Sequence, residues 1–209
     1  MPPYTIIFDF DGTLADSLPA WLSCINNHAN RYGFRKILPQ DYIKYRNETG
    51  VKTGAELGVP LIQLPSIAIK LKKAFAQEIP KLLLHPGLKK VLERLYPQNE
   101  LGILTSHSTE SIRNFLINNG VEDFFKFANK ENLIFGKNQA LKKIIYGRGL
   151  NPYNCCYVGD EICDINAARD VGIKNISVTW GMHSRQALEK FTPDKMVDFP
   201  YELIRALEN

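Results

Sequence analysis

Asp9 and Asp11, set two apart in Asp9-Phe10-Asp11-Gly12-Thr13, are the carboxylates best placed to do chemistry in this chain. On an extended segment, positions i and i+2 fall on one side, and Gly12 permits the sharp turn that must follow. Two anions that close repel each other unless a shared proton or a cation intervenes, and a divalent metal is the evident cation. Asp-Gly is also a common turn, so a surface turn is the plain alternative, but the fixed letters of Asp-x-Asp-Gly-Thr seldom arise together by chance, which favours a site.

Three later groups have the same character. Thr105 and Ser106 end an apolar run just before a predicted helix, where hydroxyls and free backbone N–H groups could receive an anion. The plain alternative is that Ser and Thr simply cap the helix. Lys137 opens another predicted helix, a position slightly unfavourable for a cation unless an anion lies nearby, although a solvated surface lysine would look the same. Val158-Gly159-Asp160-Glu161-Ile162-Cys163-Asp164 puts three carboxylates at a strand end and into a first helical turn. Asp160 and Asp164, at i and i+4, are expected on one helix face, and acids favour helix N-termini in any case.

These residues need strand ends to hold them. Thr5-Ile6-Ile7-Phe8, Leu101 to Leu104, Cys155 to Gly159 and Ile176 to Trp180 all read as short buried strands, and Leu133-Ile134-Phe135 as a further short one. Between them, helices are expected from the Asp16-Ser17 cap to about Arg31, through Leu88, Val91, Leu92 and Leu95, through Ile112, Phe115 and Leu116 to Gly120, and from Lys137 to Tyr146. Tyr32 to Leu84 stays helical in pattern, with breaks expected at Pro39, Gly50, Gly58 and Pro65. Strand-helix alternation predicts an α/β fold, a parallel sheet covered on both faces, with ligands beyond the carboxyl ends of its strands.

The composition is that of an ordinary globular chain: 209 residues, 44% apolar, 23% charged, net charge +4. No basic run marks a nucleic-acid or membrane-surface partner, and no apolar stretch approaches a membrane span. Cys24, Cys155, Cys156 and Cys163 lack metal or redox spacing, and a reduced, cytoplasmic setting is expected.

Taken in order, Asp9-Phe10-Asp11-Gly12-Thr13-Leu14, Thr105-Ser106, Lys137 and Gly159-Asp160-x-x-x-Asp164 resemble the four motifs of the haloacid dehalogenase-like hydrolase superfamily, and they span essentially the whole chain. Asp16-Ser17 and Asp164-Ile165-x-Ala167-Ala168-Arg169 are most similar to its phosphoglycolate phosphatase-like branch. The resemblance implies a three-layer Rossmann-like core formed by residues 1–15 and 84–209, with a small all-helical cap at 16–83. Two positions depart from the family pattern. Ser106 stands where Asn is common, and Asn138 follows Lys137 where proline is frequent.

The resemblance also implies roles. Asp9 would attack phosphorus and form an aspartyl-phosphate, and Asp11 would protonate the leaving alcohol and then activate water. Asp9, the backbone carbonyl of Asp11, and Asp160 would hold Mg²⁺, with Asp164 either binding it directly or standing one step behind. Thr105, Ser106 and Lys137 would contact the phosphoryl group, and Arg46 in the cap could reach the rest of the substrate. Asp11 favours phosphoryl transfer over carbon-halogen cleavage, since the dehalogenases lack that aspartate. The expected activity is thus Mg²⁺-dependent hydrolysis of a small phosphorylated metabolite. A phosphosugar mutase is the nearest alternative and a non-enzymatic phospho-accepting switch a more distant one.

Overall fold

In the computed structural model, which describes residues 4–48, 50–131 and 136–208, six parallel strands lie in the order β3-β2-β1-β4-β5-β6. Along the chain the elements are β1 (Thr5–Asp9), α1 (Leu18–Tyr32), α2 (Tyr42–Tyr45), α3 (Gly50–Glu56), α4 (Leu64–Phe75), α5 (Leu88–Leu95) and β2 (Glu100–Thr105). There follow α6 (Thr109–Asn119), β3 (Phe125–Lys130), α7 (Gly136–Gly147), β4 (Cys155–Gly159), α8 (Ile162–Val171), β5 (Lys174–Val178), α9 (Arg185–Glu189), β6 (Lys195–Val197) and α10 (Glu202–Glu208). The expected α/β class is what forms.

Alternation along β1 divides the core in two. Ile6 and Phe8 face one way, into a cluster closed by Leu88, Val91, Leu92 and Leu95 of α5, Phe115 of α6 and Leu203 of α10. Ile7 faces the other way, against Leu141, Ile144 and Ile145 of α7 and Ala167 and Ala168 of α8. A five-residue strand buried on both faces thus anchors the sheet, and it delivers Asp9 to its carboxyl end at the centre. Because the chain leaves β1 toward β2 on one side and β4 lies on the other, this is the point where strand order reverses and a crevice opens.

Between β1 and β2 the chain builds a third apolar cluster of its own, with Ala29, Phe34, Ile37, Tyr45, Leu57, Val59, Ile67 and Leu71 buried together. Its entry and exit run side by side. The Asp16 N–H donates to the Leu83 carbonyl (3.0 Å) and the His85 N–H to the Leu14 carbonyl (2.8 Å). Trp21 touches both this cluster and the main core.

Several local expectations are corrected. Gly50 and Pro65 sit in the first turns of α3 and α4, where they begin helices, because proline lacks only an N–H that the first turn leaves unpaired anyway. Ser17 precedes α1 but its hydroxyl makes no cap bond; it accepts from the Gly12 N–H (3.1 Å) and so braces the turn after β1. Strand β3 was not anticipated, and the Leu133-Ile134-Phe135 strand lies outside the described residues. No helix among the described residues is long and apolar enough to cross a membrane.

Candidate active site

The carboxyl ends of β1, β2 and β4 and the first turns of α7 and α8 meet at a cavity of about 230 Å³. Its polar lining includes Asp9, Asp11, Lys72, Thr105, Ser106, His107, Lys137 and Glu161, and Leu18, Trp21 and Phe75 form an apolar wall. Asp9, Asp160 and Asp164 are all buried, and each offers a carboxylate oxygen within 4.8 Å of the others.

Each acid is held by named donors. Asp9 Oδ1 lies 3.2 Å from Lys137 Nζ and 3.4 Å from the Tyr157 hydroxyl, which donates to it. Lys137 also donates to Asp164 Oδ1, and the other Asp164 oxygen accepts from the Glu161 N–H (2.8 Å). Asp160 Oδ1 accepts from the Thr13 hydroxyl (2.6 Å) and Oδ2 from the Met182 N–H (2.6 Å). Gly12 and Gly181 come so near that a Cβ on either would overlap the Asp160 carboxylate, and Gly12 also has φ +73°, a left-handed turn suited to glycine.

Burial pushes the Asp9 carboxyl well above the usual carboxylate range; Lys137 opposes this, and Asp164, Asp160 and Glu161 add to it. Asp160 is pushed up to about 8, first by burial and then by Glu161 and Asp164. Burial alone would lower the Lys137 ammonium, but Asp164 and Asp9 together hold it well above the ordinary lysine value. One lysine facing three buried acids leaves negative charge uncompensated, and the donors are all hard oxygens. The residues present therefore fit a divalent cation such as Mg²⁺.

The family model for haloacid dehalogenase-like hydrolases matches residues 6–178, from β1 through β5. The chain is 34% identical over 203 residues to the phosphoglycolate phosphatase of Synechococcus elongatus, covering 97% of this chain and 96% of that protein. The chain belongs to the haloacid dehalogenase-like hydrolase family. A phosphoglycolate phosphatase from Vibrio vulnificus is 24% identical, covering 95% of this chain and 93% of its own. Among solved structures, a haloacid dehalogenase-like family hydrolase from Streptococcus pneumoniae superposes with TM-score 0.84 at 22% identity, covering 98% of both chains. With these relatives the chain is a phosphatase of its family.

In this hydrolase the residues singled out in the sequence fall in different places. Asp9, Asp11, Thr105, Ser106 and Lys137 line the one cavity, and Asp160 and Asp164 lie behind Asp9. Asp160 and Asp164 do not share a helix face, because Asp160 precedes α8 and only Asp164 is in its first turn. Asp9 and Asp11 both line the cavity, although β1 ends at Asp9 and the Asp11 carboxylate contacts His107 while Asp9 belongs to the three-acid cluster. Arg46 lies outside the cavity lining. Its Nε and Nη2 donate to the backbone carbonyls of Met182 (3.1 Å), Thr179 (3.2 Å) and Gly181 (2.6 Å).

Three residues escaped the sequence reading. His107 contacts Asp11, Tyr157 contacts Asp9, and Lys72 of α4 lines the cavity from the helical insertion. His107 stands two positions after Thr105, and that proximity was the one signal available for it.

Proposed function

We propose that this enzyme hydrolyses a small phosphate monoester in an Mg²⁺-dependent reaction through an aspartyl-phosphate on Asp9. The observation that carries the reading is the placement of Asp9 at the centre of the sheet edge. There Lys137 and the Thr105-Ser106 segment border the same cavity on which Asp11 opens. Residues 16–83 serve as the cap and residues 1–15 and 84–209 as the core, with the paired strands of chain at 14–16 and 83–85 as the joint.

Asp9 attacks phosphorus in line, a bond forms from its carboxylate oxygen, and the ester P–O bond breaks. Asp11 gives its proton to the departing alcohol oxygen, then takes one from the water that cleaves the aspartyl-phosphate, releasing phosphate and restoring Asp9. Its Oδ1 is buried without a hydrogen-bond partner among the described residues, while Oδ2 is fixed by His107. Thr105, Ser106 and Lys137 hold the phosphoryl oxygens, whose spread of charge is the main thing to stabilise. The carboxylates of Asp9 and Asp160 and the backbone carbonyl of Asp11 would hold Mg²⁺. Asp164, which accepts from Lys137 and from the Glu161 N–H, stands behind and orients Lys137. When bound, Mg²⁺ supplies positive charge that keeps Asp9 ionised and neutralises the phosphoryl oxygens.

Phosphoglycolate is the first substrate to try, since the relatives reported above bear its name. Buried, unpaired Cys24, Cys155 and Cys156 support a reducing, cytoplasmic setting. The test is phosphate release from a panel of monoesters with and without Mg²⁺, sugar monophosphates included. Free phosphate that requires Mg²⁺ is expected. Conversion of a sugar phosphate to its isomer, with no phosphate freed, would assign a mutase instead.

A further inference from the structure

Helix α4 buries Ile67, Leu71 and Phe75, and Lys72 lies three residues before Phe75, so the two share a side of the helix. Both line the active-site cavity, beside Leu18 and Trp21. Trp21 and Phe75 pack edge to face with centroids 5.1 Å apart, which makes this wall apolar and fixed. The other two basic side chains of the lining are committed, Lys137 to Asp9 and Asp164 and His107 to Asp11. Among the described residues the Lys72 ammonium has no carboxylate or carbonyl partner.

A half-buried cation beside an apolar wall is costly unless something pairs with it, and a ligand can be that partner. The phosphoryl group already has Lys137, Thr105 and Ser106, so the anion left for Lys72 is a second one on the same molecule. About 230 Å³ falls below the range of roughly 300–1,000 Å³ usual for drug-sized ligands, so the molecule is short. We infer that Lys72 is the specificity residue of this site, pairing with a carboxylate at the non-phosphoryl end of a short phosphate monoester. This rests on the phosphatase reading above and adds what that reading lacks, a reason to prefer an acid over a neutral alcohol of equal length.

The experiment compares kcat/KM for phosphoglycolate and for ethyl phosphate in the parent enzyme, Lys72→Met and Lys72→Arg. Losing a charge-assisted contact should lower Lys72→Met on phosphoglycolate by about 10–100-fold, mostly through KM, with ethyl phosphate changed by less than about 3-fold. Lys72→Arg should recover most of the loss. A methionine that slows both esters equally, or that leaves phosphoglycolate untouched while the parent remains active, overturns the assignment of Lys72 and spares the phosphatase. A parent that releases phosphate from neither ester nor any other monoester overturns both. Matching melting temperatures for parent and variants show that the fold is unchanged.

Discussion

His107 Nε2 sits 2.6 Å from Asp11 Oδ2, tying the turn after β1 to the end of β2 across 96 residues of sequence. The imidazole is buried and wedged edge-on against Phe10 (5.6 Å between centroids), with Phe75 at 6.1 Å, so it can hold only a narrow range of directions. Asp11 is the proton-transfer group, and an acid that swings freely loses much of its value. His107→Phe should fill the space yet lower kcat by about 10–100-fold, with KM little changed. His107→Gln, which can still donate to Asp11, should retain more. Steady-state kinetics of the two variants decides this, and a phenylalanine variant with parental kcat would remove His107 from the account.

Arg46 works as a clamp. Its three bonds to the 179–182 backbone are joined by Asn47 Oδ1, which accepts from the Ser184 hydroxyl (2.6 Å), so the segment after α2 fastens the helical insertion to the loop after β5. That same loop gives Asp160 its Met182 N–H. Arg46→Met should speed hydrogen exchange at the amides of residues 180–184 by about tenfold or more and lower the melting temperature by roughly 2–4 °C for each kcal/mol lost. Unchanged exchange across that loop would mean that the clamp contributes nothing.

Gly181→Ala tests how closely Asp160 is fitted. An added Cβ overlaps the carboxylate, and the main chain there has little room to retreat because Arg46 and Asp160 grip it from two sides. Residues that orient a metal ligand typically contribute about 10–100-fold to metal affinity. The Mg²⁺ concentration for half-maximal activity should rise by at least about 10-fold in the alanine variant. Parental Mg²⁺ dependence would show that Asp160 tolerates displacement.

Removing metal should give stability an unusual pH dependence. Burial and neighbouring acids push Asp160 up to about 8 and raise Asp9 and Asp164 as well, whereas an unfolded aspartate titrates near 4. From pH ~4 to ~8 the folded, metal-free chain therefore binds more protons than the unfolded one, and stability falls as pH rises through that window. In chelator the melting temperature should drop by several degrees, roughly 2–4 °C per kcal/mol, between pH 5.5 and 8. Added Mg²⁺, which binds the ionised carboxylates, should shrink that drop. A melting temperature that climbs over this range in chelator would contradict the burial argument.

What could be read in the sequence was whatever a short window contains. Asp9, Thr105, Lys137 and Asp160 stand at strand ends or in first helical turns, and buried runs such as Ile6-Ile7-Phe8 and Leu101 to Leu104 announce those strands. Strand β3 was missed because Phe125–Lys130 is mostly half-exposed or exposed and carries Lys126, Asn129 and Lys130, which suits one side of a sheet edge but not a buried run. Tyr157 was read only as part of a strand, since its partner Asp9 is 148 positions away. Lys72 was hidden among neighbouring lysines, and only the fold of α4 onto the cavity distinguishes it from Lys70 and Lys73.

The central claim is that Asp9 is the nucleophile of a Mg²⁺-dependent phosphatase, and phosphate release by the parent and by Asp9→Asn tests it most directly. Asparagine keeps the shape and the Tyr157 contact but cannot form the aspartyl-phosphate. On phosphoglycolate, or whichever monoester the parent prefers, turnover should depend on Mg²⁺ in the parent and fall by at least about 1,000-fold in Asp9→Asn. Equal turnover by variant and parent would contradict the account.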